Sequence, residues 1–200
     1  MTDILPSTAF ISRIAQWYWQ CSLSALPIYG SIHFPTAPQG NGPFPVFIMI
    51  HGNALPCTES YSGYEPLLSN IASHGIIAIS IGIEYLGTGL IDFLEAFTSG
   101  GGIKEATKYD YAIRAVMSFR HLRTLKEWNY TIGHPLFGKV GNRVVIGGHS
   151  RGGQAAMTAA TLLKLMWTAQ SSLKLPSSSR VRITIASIQS GDGLIRMVSI

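Results

Sequence analysis

Short, continuous apolar runs alternate along this chain with longer stretches of helical spacing. Residues 46–50 read Val-Phe-Ile-Met-Ile between Pro45 and His51-Gly52, and residues 76–81 form a second such run between Gly75 and Gly82. Runs of strand length without polar alternation are buried on both faces, which is the pattern of a parallel sheet. Between them, Tyr61, Tyr64, Leu67, Leu68 and Ile71 recur at helical spacing within 58–73, with Gly63 and Pro66 weakening the first turns. Farther on, Ala106, Tyr109, Ile113, Val116 and Phe119 make one stripe of an amphipathic helix over 104–125. A strand over 143–148, an Ala-, Leu- and Met-rich helix over 152–167 and a strand over 181–188 complete the series. The βαβαβαβ order predicts an α/β fold, a mostly parallel sheet with helices on both faces.

The flanks of that series are less regular. Residues 28–34 predict an edge strand ahead of the proline- and glycine-rich loop 35–45, and 194–200 read as the start of a further strand. Residues 82–103 are too long for a tight connection, carry a short apolar helical piece over 90–97 and end at Gly100-Gly101-Gly102. Loops of this length often serve as lids or binding surfaces, although a core helix or a dimer face has the same pattern. The 200 residues fit one domain, with 28–190 as its α/β part and 1–27 as an N-terminal extension.

Composition narrows the class. At 46% hydrophobic and 12% charged the chain is too apolar to be disordered, yet no uninterrupted apolar run reaches the ~18 residues of a membrane span. The net charge of +5 raises a nucleic-acid reading, but the 15 Lys and Arg are scattered. Their densest group, Arg114, Arg120, Arg123 and Lys126, is expected on the solvated face of a helix, so no nucleic-acid partner is expected. Cys21 and Cys57 match no metal or redox motif. A start of Met-Thr-Asp with no Lys or Arg before Arg13 lacks a secretory n-region, which favours the cytoplasm, with export from a longer precursor as the alternative.

The candidate chemistry centres on Gly148-His149-Ser150-Arg151-Gly152, which follows an apolar strand and opens a helix. In a G-x-S-x-G turn the glycines remove side chains that would collide with neighbouring backbone, so that a serine can stand on the tip as nucleophile. The amide of Arg151 then sits at a helix N-terminus, where unpaired N–H groups favour a developing oxyanion. A second amide is expected from Asn53 or Ala54 in His51-Gly52-Asn53-Ala54, directly after the strand 46–50. His51 itself is read as a residue that packs the turn, not as a base.

Together, the HGN turn, the stretch SYSGYEPLLSNIASHGIIAISI and VVIGGHSRGGQAA resemble the α/β-hydrolase fold family, most nearly its chlorophyllase, dienelactone-hydrolase and polyester-hydrolase-like branch. The resemblance implies that Ser150 is the nucleophile, that the amides of Asn53 and Arg151 form the oxyanion hole, that carboxylic esters are the substrates, and that no metal or cofactor is required. The chain departs from that family after the serine. Its six histidines stand at 33, 51, 74, 121, 134 and 149, so none follows Ser150. Asp192, in Gly191-Asp192-Gly193, is a candidate triad acid, although such a sequence also suits a plain turn. The chain therefore reads as roughly the first two thirds of such a hydrolase. Its sheet would end with an exposed edge open to self-association or a second chain. Two readings follow: a serine ester hydrolase impaired for want of a base, or a non-catalytic relative that keeps the fold for binding. An unusual base, His51 or His121, is a third.

Overall fold

The structure, a computed structural model, describes residues 26–36, 40–53, 59–86, 103–172, 182–188 and 195–199. Six strands form one sheet: β1 Gly30–His33, β2 Phe44–Ile50, β3 Ile77–Ile81, β4 Val140–His149, β5 Arg182–Ile188 and β6 Ile195–Ser199. The helices are α1 Glu65–Ser73, α2 Ile103–Tyr130 and α3 Arg151–Ser172. Strand order is β1-β3-β2-β4-β5-β6, with β3, β2, β4 and β5 parallel and both edge strands antiparallel to their neighbours. This is the expected α/β architecture. The final stretch adds a strand that turns back on β5, pairing Ser187 with Arg196 and Ile188 with Ile195.

The apolar runs explain the layers. Along β2, Val46, Ile48 and Ile50 enter the main core while Phe47 and Met49 face the other side, as period-two alternation requires. In register with them, Ile77, Ile79 and Ile81 of β3 join the main core, and Ala78 joins Met49 and Leu68 of α1 on the opposite face. From α2 the main core takes Ile113, Ala115, Met117 and Leu125, and from α3 Ala155, Ala156, Ala159 and Ala160. So α1 covers one face, and α2 and α3 the other. Crossover handedness accounts for this: β2 to β3 steps one way across the sheet, while β3 to β4 and β4 to β5 step the other, so right-handed connections place their helices on opposite faces.

Element boundaries differ from the sequence pattern for local reasons. Helix α1 starts at Glu65, after a 3-10 turn at Ser62–Tyr64, because Pro66 is tolerated in a first turn, where its missing N–H would have no partner anyway. Helix α2 runs on to Tyr130, five residues past the expected helix end at 125. Beyond it a turn is held by Gly138 N–H on Asn129 O, by Val140 N–H on Asn129 Oδ1 and by stacking of Trp128 on His134. Arg114, expected on a solvated helix face, is instead fully buried. The 90–97 piece, both cysteines and Asp192 lie outside the described residues.

One contact fixes how the sheet meets α3. A Cβ added to Gly152 would collide with the carbonyl oxygen of Ile50 and stand 2.6 Å from that of His51. Both atoms are backbone in β2 and its exit, with little room to yield. Gly152→Ala is expected to destabilise the chain by about 1 to 3 kcal/mol, the usual range for an overpacked site. Gly63→Ala, where nothing lies within 4 Å, serves as the matched control. Urea midpoints would check this, and equal midpoints for the two variants would contradict the close approach.

Candidate active site

Topology alone selects one place on this sheet for a ligand. Strands β2 and β4 are neighbours, but the chain leaves β2 toward β3 and leaves β4 toward β5, in opposite directions. The loops leaving such a pair diverge and open a crevice at the carboxyl ends of the strands. His51, Gly52 and Asn53 leave β2 there, and Ser150 leaves β4. They line a common cleft of about 370 Å³ with His149, Ser60, Gly63 and Tyr64.

Ser150 is the one non-glycine residue among those described with a left-handed backbone, at φ 54°. An L-residue there costs about 1 to 2 kcal/mol, so the surroundings must impose it. On one side β4 is held in register up to Gly148 against Ile50 and up to His149 against Ile188. On the other, Ser150 O accepts from Gly153 N–H at 3.0 Å and Gln154 N–H at 3.3 Å, which starts α3. The chain must reverse between these in a single residue. Gly148 permits it, since a Cβ there would collide with the Gly152 carbonyl. Arg151 heads α3, so its amide stands at the positively polarised end of the helix.

Gly52 brings the β2 exit against the serine. A Cβ on it would lie 3.1 Å from Ser150 Cβ and 3.2 Å from His149 O, so a larger residue would force the two loops apart. The sequence-derived residues Asn53 and Ser150 are therefore brought to one cleft, with Arg151 following at the head of α3.

Behind the cleft lies a buried polar network that sequence reasoning missed. His51, Glu84 and Arg114 are all buried. His51 Nδ1–H donates to Gly52 O at 2.8 Å, which leaves Nε2 to accept from Ile83 N–H at 3.3 Å. Glu84 Oε1 also stands 3.3 Å from Nε2, but with a neutral ring this is a contact and not an ion pair. The neutral form is favoured: burial above all, with the Arg114 charge, holds the His51 pKa below its usual value against the opposing pull of Glu84. Glu84 draws its hydrogen bonds from Tyr29 OH at 2.9 Å and Tyr61 N–H at 3.1 Å. Burial, then the Glu84 carboxylate, pushes the Tyr29 hydroxyl well above the usual phenol range, so it stays a donor. Arg114 Nη1 donates to His51 O at 3.3 Å and Gly52 O at 3.2 Å. The one sequence signal for Glu84 was its place just past β3, whose carboxyl end opens on the same side as that of β2.

His121 is likewise engaged elsewhere. It is buried on α2, with Nδ1 2.8 Å from Met117 O and Nε2 3.1 Å from Tyr29 O, and burial lowers its pKa. Neither His51 nor His121 presents a ring nitrogen to Ser150; His149 is the histidine that lines the cleft without such ties among the described residues. No group of three or more His, Cys, Asp or Glu side chains suited to a metal occurs among the described residues. No helix among them is long and apolar enough to cross a membrane.

No protein-family model matches the chain, and no curated protein matches it. Solved structures do. Two mutant forms of the rice cell wall degrading esterase LipA from Xanthomonas oryzae align at 18% identity, over 67% and 72% of this chain, with TM-scores of 0.43 and 0.45. A ligand-bound form of the same esterase aligns at 20% identity over 68% of this chain, with a TM-score of 0.37. The chain spans about a third of the length of those structures, 32%, 35% and 33%.

The lowered pKa values of the two buried histidines make stability depend on pH in one direction. Unfolded, each takes up a proton near pH 6.5; folded, each resists it to lower pH. Their contribution is complete above about pH 6.5 and drains away as the pH falls toward the folded values, at up to about 1.4 kcal/mol per pH unit for each histidine. Urea denaturation from pH 7.5 to 5 is expected to show falling stability, with a shallower fall for His121→Gln. A flat profile for the unaltered chain would contradict the lowered values.

Proposed function

We propose that this chain is a hydrolase of the α/β-hydrolase type that acts on carboxylic esters of small or lipid-like molecules through Ser150. The observation that carries the reading is the left-handed backbone of Ser150 on a one-residue turn between β4 and α3, at the crevice where the loops of β2 and β4 diverge. A strained serine at such a place is what covalent acyl transfer asks for: a hydroxyl raised above the sheet edge, beside the backbone of a strand exit and a helix head.

The steps follow from that arrangement. Ser150 Oγ attacks the acyl carbon as its proton passes to solvent, the carbonyl oxygen takes up negative charge, and the amides of Asn53 and Arg151 donate to it. Collapse breaks the ester C–O bond, the leaving oxygen takes a proton from solvent to depart as the alcohol, and the acyl-serine left behind is hydrolysed by water along the same path. Backbone donors of this kind need neither metal nor cofactor. Asp192 stands as the proposed acid that orients a base. The base itself is not His51, whose Nδ1 donates to Gly52 O and whose Nε2 accepts from Ile83 N–H, nor His121, whose two ring nitrogens face the carbonyls of Met117 and Tyr29. Tyr64, whose hydroxyl pKa is raised by burial, stays a neutral wall of the cleft at physiological pH.

A second reading is favoured by that same engagement of the histidines. Without a positioned base a serine hydroxyl is a poor nucleophile, and the fold would serve to bind an ester or another apolar ligand. The two separate on labelling. The hydrolase reading expects a fluorophosphonate probe to label the unaltered chain and not Ser150→Ala. It also expects p-nitrophenyl butyrate turnover that is slow, of the order of the ~10³ to 10⁴ over water left to a serine enzyme lacking part of its triad. That residual turnover should fall in Ser150→Ala and persist in His121→Gln. Absence of labelling, with turnover indifferent to Ser150→Ala, would leave the binding reading.

A further inference from the structure

We propose that Arg114 is a positioning residue for the oxyanion hole, aiming the Asn53 amide into the cleft by holding the carbonyl on the other side of the same peptide. The inference rests on the ester-hydrolase reading for its catalytic meaning but not for its geometry. Gly52 C=O and Asn53 N–H belong to one peptide group, which is planar and trans, so the two bonds point in opposite directions. Whatever fixes the carbonyl fixes the amide.

Two donors fix the carbonyl. Arg114 Nη1 reaches Gly52 O at 3.2 Å from a fully buried position on α2, and His51 Nδ1 reaches the same oxygen at 2.8 Å. Both lie on the buried side of the turn, so the Asn53 N–H is turned away from them, toward the side where Gly52, Asn53 and Ser150 line the cleft. Arg114 also holds the preceding carbonyl, that of His51, at 3.3 Å, so one guanidinium nitrogen spans two consecutive peptides. The turn is confined from the cleft side too: Gly52 packs against Ser150 Cβ and His149 O.

The need for such a device is physical. The segment that follows β2 leaves the sheet ladder at Ile50, and a peptide beside a glycine rotates with little steric resistance. Rotated by half a turn, the same peptide would present its carbonyl, not its N–H, to the developing oxyanion. A buried arginine is an expensive way to fill space, since desolvating the charge costs several kcal/mol unless its donors are used. A cation facing two carbonyls from behind is suited to keeping that peptide in one orientation. It also opposes protonation of His51, which preserves the acceptor at Nε2 for Ile83 N–H.

The test uses Arg114→Met, which keeps the volume and removes the donors, and Arg114→Lys, which keeps a cationic donor and covers the case in which the methionine variant does not fold. Crystal structures of the two variants and the unaltered chain read the plane of the Gly52–Asn53 peptide directly. The expected result is a rotated or doubly occupied peptide in Arg114→Met and the original orientation in Arg114→Lys. An unchanged peptide in every folded variant that lacks the Gly52 contact overturns the proposal. Kinetics with p-nitrophenyl butyrate give a second readout: kcat is expected to fall about 100-fold in Arg114→Met, as for loss of one oxyanion donor, with KM within about twofold and partial rescue in Arg114→Lys. A rise in KM at constant kcat also overturns it. If turnover proves independent of Ser150, the ester reading fails, and the crystal structures still decide whether Arg114 sets the peptide.

Discussion

The cleft depends on a contact between two stretches of backbone, the exit of β2 and the head of α3. Gly152 stands against the carbonyls of Ile50 and His51 with no room for a side chain, and Gly148 stands against Gly152 in the same way. These approaches draw the helix axis down onto the sheet edge. The chain between β4 and α3 then has one residue in which to reverse, and that residue is Ser150. Its left-handed backbone is a consequence of where its neighbours lie. Strain of this size survives because the β4 register and the first bonds of α3 are both made only when Ser150 takes it.

Charge is used behind the cleft in a way that the apolar core does not require. Val46, Ile48, Ile50 and their partners from β3, α2 and α3 already form a continuous cluster. Yet Arg114, Glu84 and His51 are buried at its upper margin, where each is tied to backbone outside the regular elements. Glu84 gathers the segment before β1, through Tyr29, and the segment before α1, through Tyr61. Arg114 and His51 gather the exit of β2. Buried ions contribute little net stability compared with apolar residues of the same size, but removing one partner is costly. Such a network resists rearrangement of loops that hydrophobic burial alone would leave loosely defined.

The sheet was legible in the sequence because its strands are buried on both faces. A run such as Ile77-Ala78-Ile79-Ser80-Ile81 has few alternatives, and the glycines around Ser150 marked a turn that only small residues permit. The two ends of the cleft were legible for the same reason, being short motifs fastened to strand ends. Arg114 was misread because helical periodicity identifies a helix's apolar face but not its exceptions: this arginine sits on the buried side because carbonyls await it there, and those carbonyls belong to residues 62 and 63 positions away. Glu84 carried no local pattern, since its partners come from three separate segments. The extension of α2 to Tyr130 was hidden because Trp128 and Asn129 act through the following turn, not through the apolar stripe.

The groups proposed for the chemistry divide by origin, and the division explains what the chain specifies well. Backbone donors at strand ends come with the topology: once β2 and β4 are parallel neighbours with diverging exits, the loops that follow them reach the same crevice whatever side chains they carry. A proton acceptor is different, because it is a side chain whose position depends on an element far away in sequence. His51 shows why proximity in sequence to the site does not supply one. Its ring lies at the right end of β2, but burial makes it neutral, Gly52 O takes its proton-bearing nitrogen and Ile83 N–H occupies the other. An imidazole committed on both sides cannot also take a proton from Ser150. Its hydrogen bonds shape the turn that bears the Asn53 amide, so under the proposed ester hydrolysis His51 would serve the oxyanion side and not the proton side.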